Sequence, residues 1–458
     1  MKIVKKLMAG ILTAIIISSA FAGCASQKVE EAAAAQDAAT TEAAAETSAE
    51  ASTAAPAQTV ELEYWYGLGG KLGETMKGLI DKFNASQTAY KVNGVTQGSY
   101  DETYQALQAA VASGSTPACF LTTSSQVNSL AAKNVLENLQ PYIAKNSGFN
   151  LDDFVQAFLP PARVGDGLFG LPAFGTTQVM YYRKDLFEKK GISPDALNGW
   201  DTLEAAAGQL AEKTGKETSF YGWEPMWGAG NLVDAALSAG ASILSEDGKT
   251  VLIDDKLWVD TWEYFRRGIH DSKTMRIHSG GQGWEYWYKT IDDVMQGKAA
   301  GYTGSSGDQG DLDFKIIAAH EQPGWNGNPG KPVASSQFIA IPAAAKEEQK
   351  QGAFEWMTYY TNADSTSEWS MKTGYIPVRL SAQEAAAYKE YLNANPQARI
   401  PLMQAAHASP EFLDPTGGKI TDALTKACDK VEIENVPAQK ALTEAKEEAQ
   451  KALNEILK

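Results

Sequence analysis

Cysteine is almost missing from this chain: its 458 residues contain three, Cys24, Cys119 and Cys428. No Cys-x-x-Cys pair occurs, so neither a disulfide framework nor a zinc site of the usual spacing can staple the fold. Histidine is as scarce, with His270, His278, His320 and His407 scattered without ligand spacing. No metal site is expected. Basic residues number 40 against 56 acidic ones, a formal net charge of -16, and no Lys/Arg cluster follows the N-terminus. That argues against a nucleic-acid partner, because phosphate binding needs clustered positive charge.

The familiar catalytic signatures are missing too. There is no Gly-x-Ser-x-Gly elbow and no kinase motif. Gly67, Gly69, Gly70 and Gly73 are followed by neither Gly-Lys-Ser/Thr nor the dinucleotide spacing, so they read as a tight turn and not a phosphate loop. No cofactor is expected. A secreted glycoside hydrolase needs only two carboxylates, and Glu224, Asp308 and Asp311 stand as the candidates for that reading.

What is present begins with Lys2, Lys5 and Lys6 before an apolar stretch from about Leu7 to Ala20, too short for a stable membrane span and of the form of a secretory signal. Phe21-Ala22-Gly23-Cys24 resembles a bacterial lipobox, which makes 1–23 the signal peptide and Cys24 the lipid attachment site. Residues 24–59 are nearly all Ala, Glu, Thr, Ser and Gln and cannot bury a core, so they are expected to form a disordered tether.

The folded body opens with alternation from Val60 to Tyr66, a strand, then Met76, Leu79, Ile80 and Phe83 on one helical face, then a strand from Tyr90 to Val95. Gly98 to Val111 repeats the helical pattern. In open α/β sheets ligands sit outside the carboxyl ends of the strands, which makes Trp65, Tyr66, Tyr100 and the loop Thr122–Gln126, with Ser124, candidates for a cleft wall. Val179 to Tyr182 is an apolar run of strand length, and Lys184 to Lys190 is a helix ending on Gly191. Asp201 with Glu204 has the spacing of a capping box. Phe220–Gly230 gathers Trp223 and Trp227 in a Gly-rich loop, where indole faces can stack on sugar C–H faces. Trp258 and Trp262, four apart on a helix, are expected in the core, while Trp284 and Trp287 fit either role. Ser305, Ser306 and the amides around Gly307 can donate to a hydroxyl or an anion if a helix starts there.

Gly170-Leu171-Pro172, the run Tyr181 to Phe187, Gly191-Ile192, Trp200-Asp201 and Trp369 to Val378 together resemble the carbohydrate-type solute-binding proteins of ABC importers. The resemblance covers about Glu61 to the C-terminus and is closest to the glycerol-3-phosphate-binding branch. It implies an α/β, two-lobe periplasmic-binding-protein-like fold of type II, each lobe a mostly parallel sheet flanked by helices, with the ligand cleft between them. Residues 60–174 and 335–378 would form one lobe and 175–334 and 379–458 the other, hinged near Pro172–Gly175, Pro332–Ser335 and Val378. The residue types matching that branch's ligand contacts are Tyr100, the Ser305-Ser306-Gly307 loop, Tyr375 and Arg399, with Trp223 and Trp227 near its paired tryptophans. Ser124 stands where the branch has an acidic residue, Gly175-Thr176 replaces a serine pair, and the tryptophan spacing is longer by one. The resemblance therefore implies a monomeric, lipid-anchored binding protein on the extracytoplasmic face of the cell membrane, partnered by a membrane permease and taking a sugar or oligosaccharide. Glycerol-3-phosphate or a glycerophosphodiester is the alternative ligand, and the glycosidase is the alternative of another class.

Overall fold

The computed structural model describes residues 58–458 apart from Lys216. The expected signal peptide, Cys24 and the tether lie outside the described residues. Among those described, no helix is long and apolar enough to cross a membrane.

Strand β1 (Val60–Tyr66) buries Leu62, Tyr64 and Tyr66 while Glu61 and Glu63 face solvent, as its alternation predicts. Helix α1 (Gly70–Ser86) buries Met76, Leu79, Ile80 and Phe83 on one face. Strand β2 (Tyr90–Thr96) then returns parallel to β1. Helix α2 (Tyr100–Ser113) starts where Ser99 accepts from the Glu102 amide and stops at Gly114, whose φ of 72° few other residues adopt at low cost. Strand β3 (Cys119–Thr123) runs parallel to β1 and passes directly into α3 (Ser124–Ala132). The expected loop Thr122–Gln126 is thus a strand end and a helix start. Its cause is a capping box formed by Thr123 and Gln126.

The capping box expected at Asp201 does not form. Helix Trp200–Leu210 begins after Gly199, because the fully buried Trp200 occupies the first position and leaves Asp201 inside the first turn. The strand expected at Val179–Tyr182 is part of a much longer one, β4 (Leu171–Arg183), of 13 residues. After it come β5 (Glu224–Pro225), β6 (Gly301–Ser305), β7 (Ile317–His320) and β8 (Ala334–Ala340). They assemble in the order β2-β1-β3-β8-β4-β6-β5, with β7 also on β4. The pairs of β1 with β2 and β3, and of β5 with β6, are parallel; β8 on β3, and β6, β7 and β8 on β4, are antiparallel.

Strand β4 is the crossing. Its Leu171–Thr177 half pairs with β8, and its Gln178–Tyr182 half pairs with β6. The first half sits in a core drawn from between Leu62 and Phe174 and again from between Phe338 and Val378. Met180 and Tyr182 belong to a second core, which takes residues between Met180 and Ala300 and again between Ile420 and Leu453. Trp258 and Trp262 are fully buried there, as their spacing predicts, and each buried side chain of that size contributes on the order of 2 kcal/mol or more of hydrophobic burial. The last helix, Ala438–Ile456, buries Leu442, Ala445, Ala449 and Leu453 against it, whereas Ile456 is exposed.

Candidate functional site

Over the middle of β4 and β8 lies a cavity of about 250 Å³. Its floor is the middle of the crossing, Thr176 and Gln178 of β4 with Ser335 and Gln337 of β8. From the first core come Tyr100, the first residue of α2, and Tyr375, which follows the turn at Gly374 (φ 89°). From the other side come Ser305, Gly307, Asp308 and Asp311, carried by the end of β6 and the 3₁₀ turn Ser306–Asp311. Ser305 Oγ accepts from the Gly307 amide at 3.1 Å and fixes that turn. Gly307 has to be glycine, since a Cβ there would lie 2.1 Å from the Tyr375 ring.

The remaining wall is Trp284, Trp287 and Tyr288, at the start of helix α4 (Glu285–Met295). Trp284 joins the two sides: its Nε1 donates to the Gly67 carbonyl at 3.1 Å and its ring meets Tyr100 edge-on at 5.5 Å. Trp287 Nε1 donates to Asp308 Oδ1 at 2.8 Å, and the Tyr302 hydroxyl donates to Oδ2 at 3.2 Å. Burial pushes the Asp308 carboxyl up to about 8, and the two neutral donors only partly oppose it. Asp311 is raised by burial as well.

A second cavity of about 290 Å³ shares Thr176, Gln178 and Ser335 with the first, so the two adjoin. It holds Asp234 and Glu411, both pushed up to about 7 by burial. Ser124 Oγ donates to Glu411 Oε1, while Oε2 is buried without a partner. An outer cavity of about 530 Å³ adds Trp227, whose Nε1 donates to Asp429 Oδ1 at 2.9 Å and whose ring stands edge-on to Tyr286. Among the described residues, no Lys, Arg or His lines any of these three cavities.

Of the residues read from sequence, the fold brings Tyr100, Thr176, Ser305 and Tyr375 to the central cavity and Trp227 to the outer one, while Ser124 sits behind the second, holding Glu411. Four others lie elsewhere. Trp223 is fully buried in the second core, its Nε1 donating to Thr303 Oγ1 at 3.0 Å, and has no face left for a ligand. Trp65 is half-buried on the first core and donates to Glu63 on its own strand. Ser306 is fully buried, its hydroxyl unpartnered, behind the turn that presents Ser305 and Gly307. Arg399 is exposed and caps the preceding helix, donating to the Leu392 carbonyl at 3.1 Å and to Asn393. Trp284, Trp287, Tyr288, Gln178, Ser335 and Gln337 are the wall residues that sequence reasoning missed or left open. The signal for the aromatics was Gly280-Gly281-Gln282-Gly283 before Trp284, the same pairing of glycines with indoles that drew attention to Trp223.

Glu224, a candidate acid, lies outside the cavities. Its Oε1 accepts from Arg276 Nε at 2.8 Å, Arg276 also bonds Asp293, and the guanidinium rests over the Tyr221 ring at 4.3 Å. Burial pushes Glu224 up to about 8 even so. Glu224, His278 and Asp293 bring one donor atom each within 4.8 Å, but the cation between the two carboxylates is already the guanidinium of Arg276.

The sequence profile described as bacterial extracellular solute-binding protein matches residues 78–396. The sn-glycerol-3-phosphate-binding periplasmic protein UgpB of Yersinia enterocolitica is 23% identical over 386 residues, which cover 76% of this chain and 81% of the relative. Among solved structures, UgpB of Mycobacterium tuberculosis in complex with glycerophosphocholine superposes with a TM-score of 0.76 at 20% identity, covering 88% of this chain and all 100% of the other. The substrate-binding protein Lmo0181 of Listeria monocytogenes in complex with cycloalternan also reaches 0.76 at 20% identity, with coverages of 87% and 100%. At such identities the structural likeness speaks for the fold: two α/β lobes with a cleft between them.

Proposed function

The chain belongs to the family of bacterial extracellular solute-binding proteins, and from that premise we propose that its solute is a sugar or oligosaccharide, captured for delivery to the membrane permease of an ABC importer. One observation carries the choice: the central cavity is walled by Tyr100, Trp284, Trp287, Tyr288 and Tyr375 and, among the described residues, neither it nor the two cavities beside it has a basic side chain. Aromatic rings offer flat apolar faces to the C–H faces of pyranose rings, and carboxylates and amides accept from their hydroxyls. A glycerol phosphate needs cationic donors, and the Arg399 expected to supply them is spent on a helix end. The test is a thermal-shift panel of mono- and oligosaccharides against glycerol-3-phosphate, since a tight ligand raises the melting point by mass action. Stabilisation by glycerol-3-phosphate and by no saccharide rejects the reading.

Binding without turnover is part of this proposal, and the sugar should be recovered intact after prolonged incubation. The lobes we propose are 60–174 with 335–378 and 175–334 with 379–458, a division that the two separate cores support. They would close on the ligand about the middle of β4, and X-ray scattering would then show a smaller radius of gyration at saturation. Anchoring through Cys24 of a monomer on the extracytoplasmic face completes the reading. A Cys24→Ala chain that stays in the membrane fraction after a salt wash removes that last part.

A further inference from the structure

Resting on the saccharide reading, we propose that the ligand carries a positively charged nitrogen, an amino-saccharide, held by the carboxylates of Asp308 and Asp311 within the aromatic wall. Four carboxylates, Asp308, Asp311, Asp234 and Glu411, line the two inner cavities, and among the described residues no base lines either. Three buried charges elsewhere are matched by the fold: Glu224 has Arg276, Lys350 has Glu137 and Glu347, and Arg379 has Asp153 within 3.7 Å. Glu432, by contrast, has among the described residues only the Cys428 thiol and the Gly228 amide as donors. A buried carboxyl with no cation beside it stays protonated up to about pH 7 to 8, and a cation supplied from outside is what would let it ionise.

The four acids are not equivalent. Asp234 is engaged by the fold, accepting from the Val333 amide at 2.9 Å and from Gln322 at 3.0 Å. Asp308 has only the neutral donors Trp287 and Tyr302, and Glu411 keeps one buried oxygen with no donor. Lys71, whose charge reaches Asp311, is paired with Glu74 at 3.1 Å. What the central cavity lacks is therefore a cation, and what it offers around that gap is indole and phenol rings, whose faces attract one. A phosphate would meet carboxylates alone. An uncharged sugar would share their hydrogen bonds and give them no counter-charge.

Calorimetry on the mature chain with three β-1,4 dimers decides the matter: glucosamine dimer, N-acetylglucosamine dimer and cellobiose, in dilute buffer near neutral pH. The amine should bind about ten-fold or more tightly than the other two, as expected for a partly desolvated cation among rings and carboxylates. That preference should shrink to about three-fold or less in Asp311→Asn, which is half-buried and tolerant of change, and in Asp308→Asn, whose fold is checked by its melting curve. Added salt should weaken the amine more than cellobiose. Equal or tighter binding of either uncharged dimer overturns this proposal and leaves the sugar reading standing. Binding of glycerol-3-phosphate with none of the three dimers overturns both, and an undiminished preference in both Asn variants overturns the assignment of these carboxylates.

Discussion

Two groups of buried carboxylates in this molecule have opposite surroundings. Glu224 is fully buried with the Arg276 guanidinium bonded to it, Asp293 sharing that guanidinium, and Tyr221 stacked beneath. Asp308 lies at the cleft with an indole N–H and a phenol O–H as its donors, and no cation lines its cavity among the described residues. Both are pushed up to about 8 by burial. The difference is in what each group still lacks. Glu224 has a guanidinium beside it although its Oε2 is buried without a hydrogen bond; Asp308 has both oxygens bonded but no cation, and stays protonated up to about pH 8.

Removing Arg276 should have the largest effect. Arg276→Ala leaves Glu224 buried and unpaired, and should cost about 3 kcal/mol in denaturant unfolding while ligand affinity stays unchanged. A matching loss of affinity would dissolve the contrast between the two groups. Next come the cleft indoles: Trp284→Ala and Trp287→Ala should each weaken binding by about 2 kcal/mol, roughly thirty-fold, with Trp223→Ala instead registering as lost stability. Acidity sharpens the comparison further. Asp308, Asp234 and Glu411 all titrate above their unfolded values, so their contribution is fully present in acid and lost as pH rises through about 7 to about 8. The unliganded protein should therefore melt at lower temperature at about pH 9 than at about pH 5, and Asp308→Asn should recover on the order of 1 kcal/mol at the alkaline end. The smallest effect belongs to Arg399→Ala. An exposed helix-end contact is worth about 0.5 kcal/mol, and calorimetry should find ligand affinity unaltered.

The parts of the fold legible in the sequence are those fixed by local periodicity. From β1 to α2 the alternation and the one-face helices locate the elements, because each buries its stripe against its immediate neighbours, although Gly70 and Gly73, read as part of a turn, open helix α1 instead. The site was legible where a residue sits at the mouth of such an element, as Tyr100 does at the start of α2. Trp223 and Trp284 show where this ends. Both follow glycines, and local sequence treats them alike. What separates them is a partner far along the chain: Thr303 draws the Trp223 indole into the core, and Gly67 holds Trp284 across the cleft. Arg399 failed for the reverse reason, since its charge finds carbonyls within seven residues of it and never reaches the cleft.

The alternation of the two cores along the chain has a consequence for how the protein comes into being. The first core takes its opening residues from before Phe174 and its last from Phe338 to Val378, with part of the second core's sequence between them. A ribosome that has passed Phe174 has therefore delivered only an open half, lacking β8 and the buried Trp356 and Trp369. The second core in turn waits for Leu453, a few residues from the end. Domains usually fold as they emerge, the N-terminal one first. Here neither core is complete until residues far along the chain have been made, so each closes later than a core built from one continuous stretch would.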